Sequence, residues 1–417
     1  MEQSYFDICY ARKARVRWIC KAIKVSGFLD LDIIRSLIDE KIARICRRRG
    51  DLDETAISQI GENLLLAKIA KRYIERRTKP FTPKIAKNSP THAFKASFPE
   101  IGYSYKDSLS SIYKEKHFRL RTNPSILFPG FLPDGNEAFF LLRKCFLKFG
   151  SIYYFNYQTQ HFYKPTIYHQ LYDTIVEINN RQIKNAGVRS SPFLVATSFG
   201  CNILIGFLQW LRQNKLEDTV EIKGVVVISP VLNKEDVVDP TVERQKTLVG
   251  RAVDHLCKAD ETDLVARSKA MQKAKNILMK MFTSGRDMMQ FDSKDLIPVF
   301  AIEDEVLEVF RKEIEDDDGY FLRFVELKRE IPLQATFLSS IPTLVLLAER
   351  ESDVLTPNSP SFDVLSDIHK LRSIFPNGSV ETVRSLSEKR KVTHSDLIFQ
   401  ADRFVEHLDH WLNRITS

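Results

Sequence analysis

The chain predicts an α/β fold: a mainly parallel sheet flanked by helices, with a helical cap insertion and a helical N-terminal extension. Three observations carry this. From His92 onward short apolar strand runs alternate with helix-length segments, among them Ser125–Phe128, Ile152–Asn156 and Ile222–Ile228. The alternation stops between Asn233 and Ser339, a segment rich in charge, helix formers and methionine (Met271, Met279, Met281, Met288, Met289) with no strong β run. It resumes with Thr343–Ala348 (TLVLLA) and closes on a helix over Ala401–Asn413.

At 417 residues, 43% hydrophobic and 28% charged, the chain has an ordinary globular balance that excludes a disordered or fibrous class. No run of eighteen apolar residues occurs, and the opening MEQSYFDICYARKARVRWIC lacks the apolar core and cleavage site of a signal peptide. A cytoplasmic location is the default expectation. The cysteines (Cys9, Cys20, Cys46, Cys145, Cys201, Cys257) are scattered without metal-ligand spacing, so they read as reduced thiols and no metal or other cofactor is expected.

Charge is unevenly placed. Residues 1–122 hold 26 Lys and Arg against 14 Asp and Glu, a net +12, whereas the remainder holds 36 against 40, a net −4. Ile34, Leu37, Ile38, Ile42 and Ile45 form a helical stripe that ends at Arg47-Arg48-Arg49-Gly50. A second helix starts near Asp53, carries Ile57, Ile60, Leu64 and Ala67, and sets Lys68, Arg72 and Arg76 in a row. Such a basic module suits an anionic surface, so a peripheral membrane contact is an expectation, weighed against plain packing on the rest of the chain. Nucleic acid is not expected, since aromatic residues do not interleave with the cations. Thr78–Pro90, with three prolines, reads as a linker or wrapping segment. The organisation expected is an extension over 1–91, a first core part over 92–232, a helical cap over 233–339 and a second core part over 340–417.

Within the core, His117–Arg121 suggests an early edge strand and Glu137–Phe149 a helix after the turn Pro133-Asp134-Gly135. Pro165–Asn185 gives another helix, and Val380–Val383 the last strand. The acidic run Glu315–Asp318 reads as a solvated turn before Gly319. The most informative stretch is Ser191–Gln213. A buried strand over Phe193–Ala196 passes through Thr197-Ser198-Phe199-Gly200 into an apolar helix, with small Ala196 and Gly200 flanking the serine. A serine on such a turn stands above the sheet edge while the first helical N–H groups face whatever its oxygen attacks.

This stretch resembles the nucleophile elbow of the α/β-hydrolases, with Ala at a position where that family more often has Gly. The resemblance spans residues 92–417. It implies a serine, an acid and a histidine in that chain order, each at the end of its own strand. Ser198 is then the nucleophile and His394, in the loop after the last strand, the base. His369, His407 and His410 also follow the acid loop but sit in helical runs. Asp353 is the expected acid, because its D-V-L-T-P turn resembles the family's acid loop; Glu349 and Glu351 are rivals nearer the strand. The oxyanion donors carried over by position are the backbone N–H groups of Phe199 and Phe131, the latter after Pro129-Gly130 where many members have His-Gly. A dehalogenase or epoxide hydrolase would need Asp at the elbow. The resemblance implies an esterase- or lipase-like serine hydrolase acting on an apolar carboxylic ester, such as a lipid ester, through an acyl-enzyme. An acyltransferase with the same triad, and a non-catalytic binding protein on the same scaffold, stay open.

Overall fold

The computed structural model describes residues 78–116, 123–131, 139, 142–158, 160–180, 190–243, 245–260, 262–287, 318–329, 331, 333, 341–384, 391, 392, 394 and 401–416. They belong to one compact unit, Arg77–Leu278 with Asp316–Ser417, apart from the last turns of one helix, which fall in a second unit of Met1–Arg76 with Met279–Glu315. The two N-terminal helices and their cations therefore lie outside the described residues, as does the suggested strand at His117–Arg121.

Eight strands form one sheet: β1 (Thr78–Phe81), β2 (Ser111–Glu115), β3 (Ser125–Phe128), β4 (Ile152–Asn156), β5 (Phe193–Thr197), β6 (Gly224–Ile228), β7 (Thr343–Ala348) and β8 (Gly378–Val383). Their order is β1-β2-β4-β3-β5-β6-β7-β8. β2 runs antiparallel to both neighbours, and every pairing from β4 through β8 is parallel. This is the strand order of the α/β-hydrolase fold. The central strands are buried along their whole length because helices cover both faces, so SILF, FLVAT, GVVVI and TLVLLA read as continuous apolar runs.

The first strand corrects the linker reading of Thr78–Pro90. β1 pairs only with β2, and its exposed Lys79 and Pro80 suit an edge, where a residue without an N–H forfeits no ladder bond on its open side. Among the described residues the sheet therefore begins at Thr78. β2, in SIYKE, was not read from the sequence.

The helices are α1 (Thr91–Ala96), α2 (Arg143–Leu147), α3 (Lys164–Asn179), α4 (Gly200–Gln213), α5 (Lys234–Val237), α6 (Leu248–Cys257), α7 (Leu264–Asp287), α8 (Asp318–Glu326), α9 (Pro360–Ser366), α10 (Ile368–Ile374) and α11 (Ala401–Thr416). Between β6 and β7 the described residues hold α5 to α8 and no strand, as the interrupted alternation predicts. Asp318 lies in α8, and the rest of the acidic run lies outside the described residues. α3 and α4 pack so closely that a Cβ on Gly206 would meet the Tyr168 hydroxyl at 2.1 Å. At the other end of the sheet the buried Trp411 of α11 fills the space a side chain at Gly224 would take.

α1 is fastened to α3 by a polar and aromatic cluster. Ser89 donates to Asp173 Oδ1 at 2.6 Å, and the His169 ring stacks on Phe94 at 4.1 Å with its edge toward Trp210. Thr91 Oγ1 lies 3.3 Å from His169 Nδ1. Burial lowers the His169 pKa to about 4 from 6.5. Burial also raises the Asp173 carboxyl above its usual range. Between pH 6.5 and about 4 the unfolded chain binds more protons at His169 than the folded one, so this contribution to stability is complete above pH 6.5 and is lost as pH falls toward 4. Asp173 acts with the opposite sign, since its folded state takes up a proton more readily. Thermal melts from pH 7 to 4 should therefore show a fall in Tm that is smaller in His169→Asn; equal falls in both chains would exclude His169 as the source.

Candidate active site

The site stands where the strand order reverses, since β3 has β4 on one side and β5 on the other, and the carboxyl ends of β3, β5, β6 and β7 meet there. Ser198 follows β5 and has a left-handed backbone, φ +50°. Its N–H donates to Ile228 O at 2.9 Å, and its carbonyl accepts from Cys201 N–H at 3.0 Å and Val231 N–H at 3.2 Å. A non-glycine residue in this region carries strain of about 1–3 kcal/mol, and it is held here from three sides. α4 starts two residues later. A Cβ on Gly200 would lie 2.4 Å from Pro129 O and 2.6 Å from Phe128 O, so only glycine permits the first turn of α4 to cross the end of β3.

Ser198 Oγ lies 2.9 Å from His394 Nε2, and His394 Nδ1 lies 2.7 Å from Glu351 Oε2. The carboxylate only accepts, so Nδ1 carries the proton and Nε2 offers its lone pair to the serine hydroxyl. The acid facing His394 among the described side chains is thus Glu351, one of the two rivals to the expected Asp353, whose own side chain lies outside what the structure describes. Glu351 opens a single 3-10 turn over Glu351–Asp353, three residues past the end of β7. From there its long side chain folds back on the strand end: Oε1 accepts from Ala348 N–H at 2.7 Å and from the Ser229 hydroxyl at 2.7 Å. Both Glu351 and His394 are buried, and each carboxylate oxygen has a donor, as a charge in this setting requires.

The other rival, Glu349, holds the histidine loop. Its Oε1 accepts from Val392 N–H at 3.0 Å while Arg350 N–H donates to Val392 O at 3.1 Å. His369, His407 and His410 lie in α10 and α11, as expected.

The Pro129-Gly130-Phe131 loop passes directly over the serine: a Cβ on Gly130 would lie 3.1 Å from Ser198 Cβ. Phe199, buried at the start of α4, makes no backbone hydrogen bond through its N–H among the described residues. Two side chains hold the loop. The Tyr157 hydroxyl donates to Pro129 O at 3.1 Å, and Arg323 of α8 donates from Nη1 to Phe131 O at 3.2 Å. Arg323 also donates to Tyr157 O at 3.3 Å and lies 5.2 Å over the Tyr157 ring. Burial pushes the Tyr157 phenol well above its usual range, so it remains a donor. Neither residue was found from the sequence, because nothing in the local pattern of Tyr157 or Arg323 ties it to Phe131.

Phe131 packs on Phe324 at 3.7 Å and edge-on to Phe199 at 5.9 Å, with Phe162 5.9 Å from Phe199. The wall beside Ser198 is thus aromatic. Burial keeps the nearby Cys201 thiol protonated, with its Sγ 3.6 Å from Ile228 O, so it offers no rival nucleophile. Among the described residues no group of His, Cys, Asp or Glu is placed to hold a metal ion, and no helix is long and apolar enough to cross a membrane.

No protein-family model matches the chain, and no curated relative does. Similar solved structures include a thermophilic esterase from Thermogutta terrifontis (12% identity, 74% of this chain and 95% of that one, TM-score 0.44). Carboxylesterase CesB from Bacillus subtilis is similar at 14% identity (83% and 96%, TM-score 0.44). A membrane phospholipase A, described as a bacterial virulence factor, is similar at 12% identity (87% and 95%, TM-score 0.47). The chain has the α/β-hydrolase fold, defined by its strand order, its parallel register and the strand-turn-helix at Ser198.

The placement of the acid is directly testable. Glu351→Gln should lower the rate of serine labelling by a fluorophosphonate about 10³- to 10⁴-fold, as for other neutralised triad acids, whereas Asp353→Asn should leave it near wild type. The reverse pattern would return the acid to Asp353.

Proposed function

We propose that the protein is a serine hydrolase that cleaves an apolar carboxylic ester through an acyl-enzyme. The observation that carries this reading is the continuous chain Ser198 Oγ, His394, Glu351, at 2.9 and 2.7 Å, on a left-handed turn at the centre of the sheet. Ser198 Oγ attacks the ester carbonyl carbon as its proton passes to His394 Nε2. Glu351 stabilises the imidazolium that forms, and the N–H groups of Phe199 and Phe131 face the developing oxyanion. The tetrahedral intermediate collapses with loss of the alkoxide, which takes the proton from His394. Water then adds to the acyl-serine with His394 again as base, releasing the acid and restoring the serine.

The aromatic wall formed by Phe131, Phe162, Phe199 and Phe324 supports an apolar acyl or alkyl group. Within the segment between β6 and β7 we assign α8 to a cap on this site; the contact of Phe324 and Arg323 with the loop over Ser198 supports that role.

Ser198→Ala removes the nucleophile but few packing atoms, so it should abolish fluorophosphonate labelling and p-nitrophenyl ester hydrolysis while Tm stays within a few degrees of wild type. His394→Ala should cost about as much, because the members of such a triad act as a unit. Unchanged hydrolysis in Ser198→Ala would overturn the mechanism. Labelling without hydrolysis, and with turnover only when an alcohol or amine is supplied, would make the protein an acyltransferase. An unreactive wild-type serine would leave only binding.

Chain length tests the apolar wall. Each added methylene should raise kcat/KM by the equivalent of about 0.8 kcal/mol until the pocket is filled. Equal kcat/KM for acetyl and octanoyl esters would exclude such a pocket.

A further inference from the structure

We propose that Ser229 is a positioning residue for the acid: its hydroxyl locks Glu351 so that the second carboxylate oxygen is presented to His394. The proposal rests on the reading of Ser198, His394 and Glu351 as an acyl-transfer triad. Ser229 follows β6 directly, is 1% exposed, and donates to Glu351 Oε1 at 2.7 Å. Its backbone is left-handed, φ +45°. Thr197 and Ile228 are register partners on adjacent parallel strands, so Ser198 and Ser229 stand side by side, both left-handed, at the ends of β5 and β6.

The backbone alone does not explain serine at this position. Glycine adopts a positive φ without strain, and the ladder bond from Ser229 N–H to Leu346 O needs no side chain. What serine adds is a hydroxyl, and its partner is the acid. A glutamate carboxylate can rotate about its last torsion, which is broad and soft. Ser229 and Ala348 N–H together occupy Oε1 and stop that rotation, so that Oε2 faces His394 Nδ1. Without the hydroxyl one donor remains, the carboxylate swings, and the imidazole loses both its orientation and its tautomer lock.

The backbone conformation supplies a clean test in the full chain. Ser229→Gly removes the hydroxyl but relieves the positive φ, so a lost packing role and a lost positioning role move in different directions. The expected result is a Tm at or above wild type, kcat on a p-nitrophenyl ester lowered at least about tenfold, and KM within about twofold. Fluorophosphonate labelling should slow in parallel. Ser229→Ala should show the same kinetic change with a lower Tm. Wild-type kcat in Ser229→Gly overturns the proposal, as does activity that falls only in proportion to the folded fraction. Labelling of wild type but not of Ser198→Ala, measured beside these variants, separates the two claims: if it is absent from wild type or persists in Ser198→Ala, the reading of the site fails and the proposal with it.

Discussion

The hydrogen bond from Ser198 N–H to Ile228 O is the constraint on which the site depends. It extends the β5–β6 ladder one residue past the point where β5 turns away from the sheet. The chain therefore leaves the strand only after Ser198 is fixed. Because the turn is left-handed, the next residues enter α4 at once, and α4 must cross the end of β3 at backbone distance. Gly200 is the consequence, as is the closeness of Gly130 to Ser198 Cβ. One bond thus sets the serine, the direction of α4 and the position of the loop that faces the serine.

Two buried carboxylates organise the other loops around that point. Glu351 joins the exits of β6 and β7 to the histidine through Ser229, Ala348 and His394. Asp236, fully buried, accepts from the backbone N–H groups of Leu232, Asn233 and Ser361 and from the hydroxyls of Ser359 and Ser361. It thereby ties the segment after β6 to the start of α9, and its own carbonyl receives Thr356 N–H at 2.7 Å. Losing any single donor leaves a buried charge short of a partner, at a cost of roughly 1–3 kcal/mol or more. The loops at this end of the sheet are therefore fixed by polar bonds that exclude alternatives, whereas the sheet itself is fixed by apolar burial that tolerates substitution.

What was legible in the sequence follows from that division. β3, β4, β5 and β7 were readable because a strand buried on both faces needs an unbroken apolar run, and the elbow because a left-handed serine needs small neighbours. β1 was not: an edge strand with Lys79 and Pro80 has the composition of a linker, and only its partner β2 makes it a strand. The contact of Glu351 with His394 was harder to read. Asp353 was favoured because its D-V-L-T-P turn resembles an acid loop, and Glu351 was kept as a rival nearer the strand; that nearness is what the longer side chain uses, turning back to the Ala348 N–H and reaching His394 from there. Glu349, the other rival, binds the backbone of the histidine loop. Sequence spacing places a residue in a loop but not the direction in which its side chain folds.

The loop over Ser198 is held on a different plan from the loops around Glu351. Pro129-Gly130-Phe131 accepts hydrogen bonds from Tyr157, just past the end of β4, and from Arg323 on α8. The Arg323 guanidinium reaches Phe131 O, Tyr157 O and Gln158 O from a position stacked over Tyr157 and Phe162. Glu351 and His394 are thus held by the sheet and its own loops, while the loop over Ser198 is held partly by a helix from the segment between β6 and β7. A displacement of α8 would therefore move Phe131 relative to Ser198 without disturbing the contact of His394 with Glu351. The loop over Ser198 is coupled to that segment, and the contact between Glu351 and His394 is insulated from it.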